Sequence, residues 1–163
     1  MDNGDLIKTL NNLIETSRDG EEGFRTCAEG VNNPELKQMF EQAASRCRQA
    51  VSELQVKVRS LGGDPEKSGS VSGGLHRAWV DITGMDEAAV LAECQRGEDV
   101  ARKAYEAALE KDLPPDIRSV VARQYEGVKQ HQDRVRQLRN TRVLRDVFSL
   151  SSPTADPCPP EDD

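Results

Sequence analysis

Glu98 is the residue in this chain best placed to do chemistry, and the least expected one in its helix. Leu91, Cys94, Ala101, Tyr105 and Ala108 form one apolar stripe at helical spacing, and Glu98 continues it directly after Gly97. A carboxylate on a face that should be buried binds a metal, pairs with a buried cation, or belongs to the surface by half a turn. The metal chemistry that helical bundles build from such residues is a paired centre held by six ligands. One Glu comes from each of two helices and a Glu-x-x-His pair from each of the other two, because i, i+3 spacing turns both side chains to one face. This sequence contains no Glu-x-x-His pair. The residues three before His76 and His131 are Gly73 and Val128. Glu126 is followed three residues on by Lys129, and Glu41 and Glu53 by Ala44 and Val56. A full di-iron set is therefore not expected, and neither haem nor a mononuclear metal has better motif support.

A smaller polar layer is still open to these residues. Counting from the turns at about 1.5 Å per residue puts Glu98 level with Lys129 and close to His131. The same count brings Glu21 and Arg46 to that height, with Gln124 and Ser17 about one turn away. In one reading, Glu21, Arg46, Glu98, Gln124 and His131 form a buried polar layer. There Glu98 is held by hydrogen bonds and opposite charge, which fixes register more than it adds stability. In the other, Glu21, Glu98 and His131 hold a single divalent metal (iron, manganese or zinc) finished by water. Arg46 counts against the metal, since a guanidinium repels a cation. The expectation is the layer, with no cofactor and no catalytic residue.

Other constellations read more plainly. Helix four and its extension carry Arg118, Arg123, Lys129, Arg134, Arg136, Arg139, Arg142 and Arg145. They are expected as a solvated face paired with acidic neighbours, and a stripe for an acidic partner is the rival. Tyr105, Tyr125 and Trp79 read as core or half-buried residues. "GSVSGG" lacks the Gly-Lys-Ser/Thr ending and the preceding strand of a phosphate loop. Neither histidine has a Ser or Cys nucleophile at readable spacing. Cys27, Cys47 and Cys94 fall on apolar stripes, and with Cys158 they form no Cys-x-x-Cys pair. Buried free thiols are expected, with neither a disulfide framework nor a zinc site.

The elements that must carry these residues are four long helices. The first runs from about Asp5 to Val31, with Leu6, Leu10, Leu13, Ser17, Gly20, Phe24, Cys27 and Val31 on one stripe. "NNPEL" starts the second, with Asn33 as N-cap and Pro34 at the first helical position. Its stripe passes through Leu36, Phe40, Ala43, Cys47, Ala50, Leu54 and Val58, and Gly62-Gly63 ends it. The third runs from about Asp86 to Lys111, where "DLPPD" breaks the chain. The fourth runs from about Pro115 to Arg145 along Ile117, Val121, Gln124, Val128, His131, Val135 and Leu138. No strand pattern competes.

Connection lengths set the topology. Tight turns make helices one and two, and three and four, antiparallel hairpins. The link from Gly62 to Met85 is long enough to travel the length of a roughly 40 Å helix. Helices two and three are then parallel, the one-crossover topology of ferritin-like bundles. The crossover, 62–85, is expected to hold a short helix with Leu75, Trp79 and Ile82 packed inward. The bundle is expected over 1–146 and a disordered, acidic, Pro-rich tail over 147–163. The apolar residues of "VLRDVFSL" are expected to extend helix four and pack on the bundle end, with docking of a partner as the rival.

With 163 residues, 31% of them charged and only 4% aromatic, the chain reads as one helical domain with a Leu, Val and Ala core. The net charge of −7 disfavours nucleic acid and anionic membranes, which repel it. No apolar run approaches the roughly 20 residues that span a bilayer. "MDNGDLIKTL" has acidic residues where a secretory signal carries basic ones, so a cytoplasmic protein is expected.

Four phrases in order, "LNNLIETSRDGEEGFRTCAEGV", "LGGDPEKSGSVSGGLHRAWVDI", "ECQRGEDVARKAYEAALEKDLPPDIR" and "QYEGVKQHQDRVRQLR", together resemble a bacterial four-helix-bundle domain of unknown function in the ferritin-like superfamily. The resemblance covers about residues 5–140. It implies an all-α, ferritin-like bundle of bacterial proteins discussed in stress or stationary-phase settings, and it implies no reaction. The expected function is a non-catalytic bundle acting by self-association as a homo-oligomer or by binding a protein partner. The alternative is a divergent metal-binding or redox protein with an incomplete carboxylate and histidine site.

Overall fold

The computed structural model describes residues 1–65 and 84–150, with side chains through Arg142. Each helix starts where a side chain or a proline can serve its free N–H groups. Helix α1, Asn3–Gly30, is capped by Asp2, whose side chain accepts from the Asp5 N–H at 2.8 Å. Helix α2, Pro34–Ser60, is capped by Asn33, which accepts from the N–H groups of Glu35 and Leu36 at 2.9 and 3.3 Å. Helix α3, Glu87–Leu109, is capped by Asp86 through the Ala89 N–H at 2.8 Å. Helix α4, Pro115–Leu150, begins on proline, and the Arg118 guanidinium ties its first turn to the Leu109 carbonyl at the end of α3 and to the Lys111 carbonyl in the turn beyond it. It continues past Arg145 to Leu150, so residues 147–150, expected in the tail, are helical. The expected short helix of the crossover, with Leu75, His76, Trp79 and Ile82, lies outside the described residues, as does Cys158.

The end of α2 shows how two glycines stop a helix. Gly62 takes φ +80°, its N–H donates to the Arg59 carbonyl, and the Gly63 N–H reaches back to the Val58 carbonyl at 3.0 Å. This pair of bonds is the Schellman motif, which uses up carbonyls that the helix leaves free. A Cβ on Gly63 would lie 2.9 Å from the Ile7 side chain, so the turn packs directly on α1. Gly62→Ala is expected to destabilise by about 1 kcal/mol, because L side chains resist positive φ. Urea unfolding measures it, and an unchanged midpoint would contradict the assignment.

In the described residues α1 packs on α2 and α3, and α4 packs on α3 and α2. Helices α2 and α3 face each other only across the diagonal. That arrangement is the ferritin-like four-helix bundle, in which the long link joins two parallel helices. The core divides into two apolar lobes. One, around the α1–α2 turn, gathers Phe24, Leu36, Met39, Phe40, Leu91 and Val135. The other, at the opposite end, gathers Leu10, Leu13, Leu54, Tyr105, Ile117 and Val121. The candidate site lies where the lobes meet.

Candidate site in the middle of the bundle

Glu98 of α3 and His131 of α4 are in direct contact, Glu98 Oε1 against His131 Nδ1, and both side chains are almost fully buried. The Phe24 ring of α1 meets the His131 ring edge-on, with centroids 5.1 Å apart. Burial pushes the Glu98 carboxyl above its ordinary value, while the His131 hydrogen bond and charge, and then Arg46, pull it back. Glu98 Oε2 and His131 Nε2 are buried with no hydrogen-bond partner among the described residues. Such atoms are costly unless something satisfies them.

About two turns along the axis a second polar chain crosses the bundle. The Tyr105 hydroxyl donates to Gln124 Oε1 at 2.9 Å and lies 3.3 Å from Ser17 Oγ. Gln124 Nε2 donates to the Ala50 carbonyl at 3.5 Å. Side chains of α1, α3 and α4 are thereby linked to the backbone of α2. Burial, the largest cause, pushes the Tyr105 phenol up to about 12, so it stays a neutral donor.

Arg46 stands at the rim rather than inside. Its side chain is exposed along α2, and Nη1 donates to the Gly127 carbonyl of α4 at 2.9 Å. A Cβ at Gly127 would come within 3.2 Å of Arg46 Cδ, so glycine there leaves the guanidinium its path. Glu21 does not join the layer. It is half-buried at the flank of α1, bonded to the exposed Arg25 at 2.7 Å and Arg48 at 3.0 Å. It is one residue past Gly20 on the apolar stripe, and one residue is about 100° of helix rotation. Of the residues proposed for the layer, the structure joins Glu98 to His131, puts Gln124 in the neighbouring chain, and leaves Arg46 at the edge.

Between these polar groups lies a cavity of about 140 Å³. Small residues from every helix open it: Gly20, Ala43, Ala50, Gly97, Ala101 and Gly127 line its wall, with Glu98, His131, Tyr105 and Gln124. On its solvent side it meets the seam of α2 and α4, where two bridges flank it. One is the Arg46 bond to Gly127, and the other is an Arg123–Glu53 ion pair. Tyr105 is the core residue that the stripe predicts, but its bond to Gln124 and the cavity are not legible in the sequence. The recurrence of glycine or alanine at one height on all four helices is the signal that could have found them.

A ferritin-like fold implies a di-iron centre, and these residues do not fit one. The layer offers one carboxylate and one imidazole, already closed on each other, with Ser17 and Gln124 at the remaining inward positions. Among the described residues no group of three or more His, Cys, Asp or Glu converges to hold a metal ion. The thiols of Cys27 and Cys47 are pushed up to about 12 and that of Cys94 well above its ordinary value, first by burial. At pH 8 the fully buried Cys27 and Cys94 are expected to resist alkylation until the protein unfolds, which peptide mass mapping would show. Rapid native labelling of either would contradict their burial.

On α4, Lys129 pairs with Glu126 at 2.8 Å, Arg136 with Asp133 at 3.4 Å, and Arg142 with Glu87. Arg139 donates to Gln95 at 2.6 Å. No helix among the described residues is long and apolar enough to cross a membrane.

Comparisons with known proteins agree with this geometry. Residues 5–111 match the domain of unknown function DUF2383. No curated protein matches the chain. Among solved structures, the chain resembles a dodecameric thioferritin, the bacterioferritin-related protein of Bacteroides fragilis. The TM-score is 0.76 at 17% identity, over 91% of this chain and 92% of that one. It also resembles a Dps1 variant of Mycobacterium smegmatis, with TM-score 0.71 at 17% identity, over 83% of this chain and 95% of the other. A third is a two-domain protein of Anabaena variabilis with DJ-1/ThiJ/PfpI-like and ferritin-like domains. There the TM-score is 0.74 at 15% identity; all of this chain is covered, but it spans only 42% of that protein. At these identities the likeness concerns the fold, whereas the family match covers most of the chain. The chain belongs to the DUF2383 family of domains of unknown function, on a ferritin-like four-helix bundle.

Proposed function

We propose that this protein is a non-catalytic ferritin-like bundle that acts by association, with copies of itself or with a protein partner, in the bacterial cytoplasm and under stress. The observation that carries the reading is the middle layer. Where di-iron bundles place six ligands, Glu98 and His131 close on each other and Tyr105 hydrogen-bonds Gln124. A layer of this kind fixes the register of helices rather than performing a reaction. Self-association is supported by the Bacteroides fragilis neighbour, which is described as dodecameric. The bacterial and stress setting is supported by the sources of the three neighbours and by the family resemblance.

The competing reading is a single divalent metal on Glu98 and His131, now without Glu21. It is favoured by one observation, the unpartnered Glu98 Oε2 and His131 Nε2. Native mass and metal content, measured on the same purified protein after reconstitution, separate the two. Association predicts a discrete assembly of two or more chains with substoichiometric iron, zinc and manganese. A monomer carrying one tightly held metal per chain, lost in Glu98→Gln and His131→Ala, would overturn it.

A further inference from the structure

We propose that the mid-bundle cavity is a binding site for a small neutral molecule with an apolar ring and one hydroxyl group, of the size of phenol. The inference is independent of whether the chain assembles. Size comes first. At about 140 Å³ the cavity is close to the roughly 150 Å³ that holds a benzene ring in a protein core.

Wall chemistry sets the body of the ligand. Phe24, Ala43, Ala50, Val100, Ala101 and Val128 line the cavity with carbon. Water gains little against such walls, and an apolar ring gains the contacts that the missing side chains leave open.

The polar head follows from two atoms. Glu98 and His131 line the cavity and are 3% and 6% exposed, and Glu98 Oε2 and His131 Nε2 have no partner among the described residues. With both ring nitrogens protonated, His131 Nδ1–H donates to Glu98 Oε1, which leaves Oε2 an acceptor and the Nε2–H a donor. A hydroxyl answers both, because it donates and accepts from one oxygen. A carboxylate ligand would meet Glu98 with like charge, and an ammonium would meet the Arg46 guanidinium at the rim. Neutrality is therefore part of the specificity. The ligand's way in is the α2–α4 seam, where Arg46, Glu53 and Arg123 line the cavity beside the Arg46–Gly127 and Arg123–Glu53 bridges.

Phenol, benzene and benzoate, titrated calorimetrically into the full-length protein, test this. Phenol is expected to bind one per chain and to raise the melting temperature. Benzene should bind at least about tenfold more weakly, since it makes neither of the two hydrogen bonds, and benzoate should not saturate. Ala101→Leu fills the cavity and should abolish phenol binding with helicity retained. Ala50→Leu serves the same purpose should the first variant misfold. In the double variant Glu98→Leu/His131→Leu, phenol and benzene should bind alike. Absence of saturable phenol binding, equal affinity for phenol and benzene in the unmodified protein, or binding that survives a folded cavity-filled variant would each overturn the proposal.

Discussion

Replacing His131 by alanine lowers the stability of this protein by about 3–5 kcal/mol, as expected when one partner of a buried charged pair is removed. The cost lies less in the lost contact than in what remains. Glu98, almost without solvent, keeps a carboxylate whose only hydrogen-bonding partner among the described residues was His131. Replacing both residues together, Glu98→Leu/His131→Leu, leaves no stranded charge and is expected to cost far less than the single change. Urea unfolding of the three proteins checks this, and a double variant as damaged as the single one would refute the account.

The same pair sets a pH dependence whose sign is opposite to that of an exposed carboxylate in an ion pair. Burial raises the folded-state pKa of Glu98 above its ordinary value of 4.5. Between the unfolded and folded pKa values the folded chain therefore holds more protons, and its stability falls as pH rises through that window. In His131→Ala the opposing pull of the imidazole is gone, so the window widens. The penalty of that substitution should accordingly shrink in acid, where Glu98 is a neutral acid. Unfolding curves for both proteins from pH 7 down to the window test it, and a penalty that grows in acid would contradict the derivation.

Phe40→Ala is the second large effect, at about 3–5 kcal/mol. Phe40 is fully buried in the lobe at the α1–α2 turn, beside Phe24, Met39 and Leu91. Truncating it removes apolar burial and opens a void that close-packed helices cannot collapse. Ala101→Leu makes the instructive contrast. It adds side chain where space already exists, and its expected effect is within about 1 kcal/mol of zero. Thermal unfolding of the two variants compares a filled core site with an open one, and equal damage from both would show that the mid-bundle space is not there.

The helices and their order were readable because their causes are local. Asn33 and Pro34 announce α2, Gly62 and Gly63 end it, and the diproline turn separates α3 from α4 within a few residues of chain. Apolar periodicity then identified the inward faces, Glu98, Gln124 and His131 among them, since 3.6 residues per turn holds for every helix. Connection length went further and made α2 and α3 parallel, because only a long link joins parallel helices; that they face each other across the diagonal came from the packing. Periodicity is less exact about neighbours. Glu21 has the right height but the wrong rotation; its i, i+4 pair with Arg25 lies within α1, but nothing in α1 says that Arg48 of α2 also holds it.

What tertiary structure alone decided is which inward atoms touch and what space they leave. The Glu98–His131 contact depends on the relative rotation and shift of α3 and α4, and the Tyr105–Gln124 bond on the same two helices about two turns away. The cavity depends on more still. Gly20, Ala43, Ala101 and Gly127 are ordinary small residues within their own helices, and they become a binding volume only where four helices bring them to one height. Local propensity fixes each helix; the volume between them is a property of their packing, which no single segment encodes.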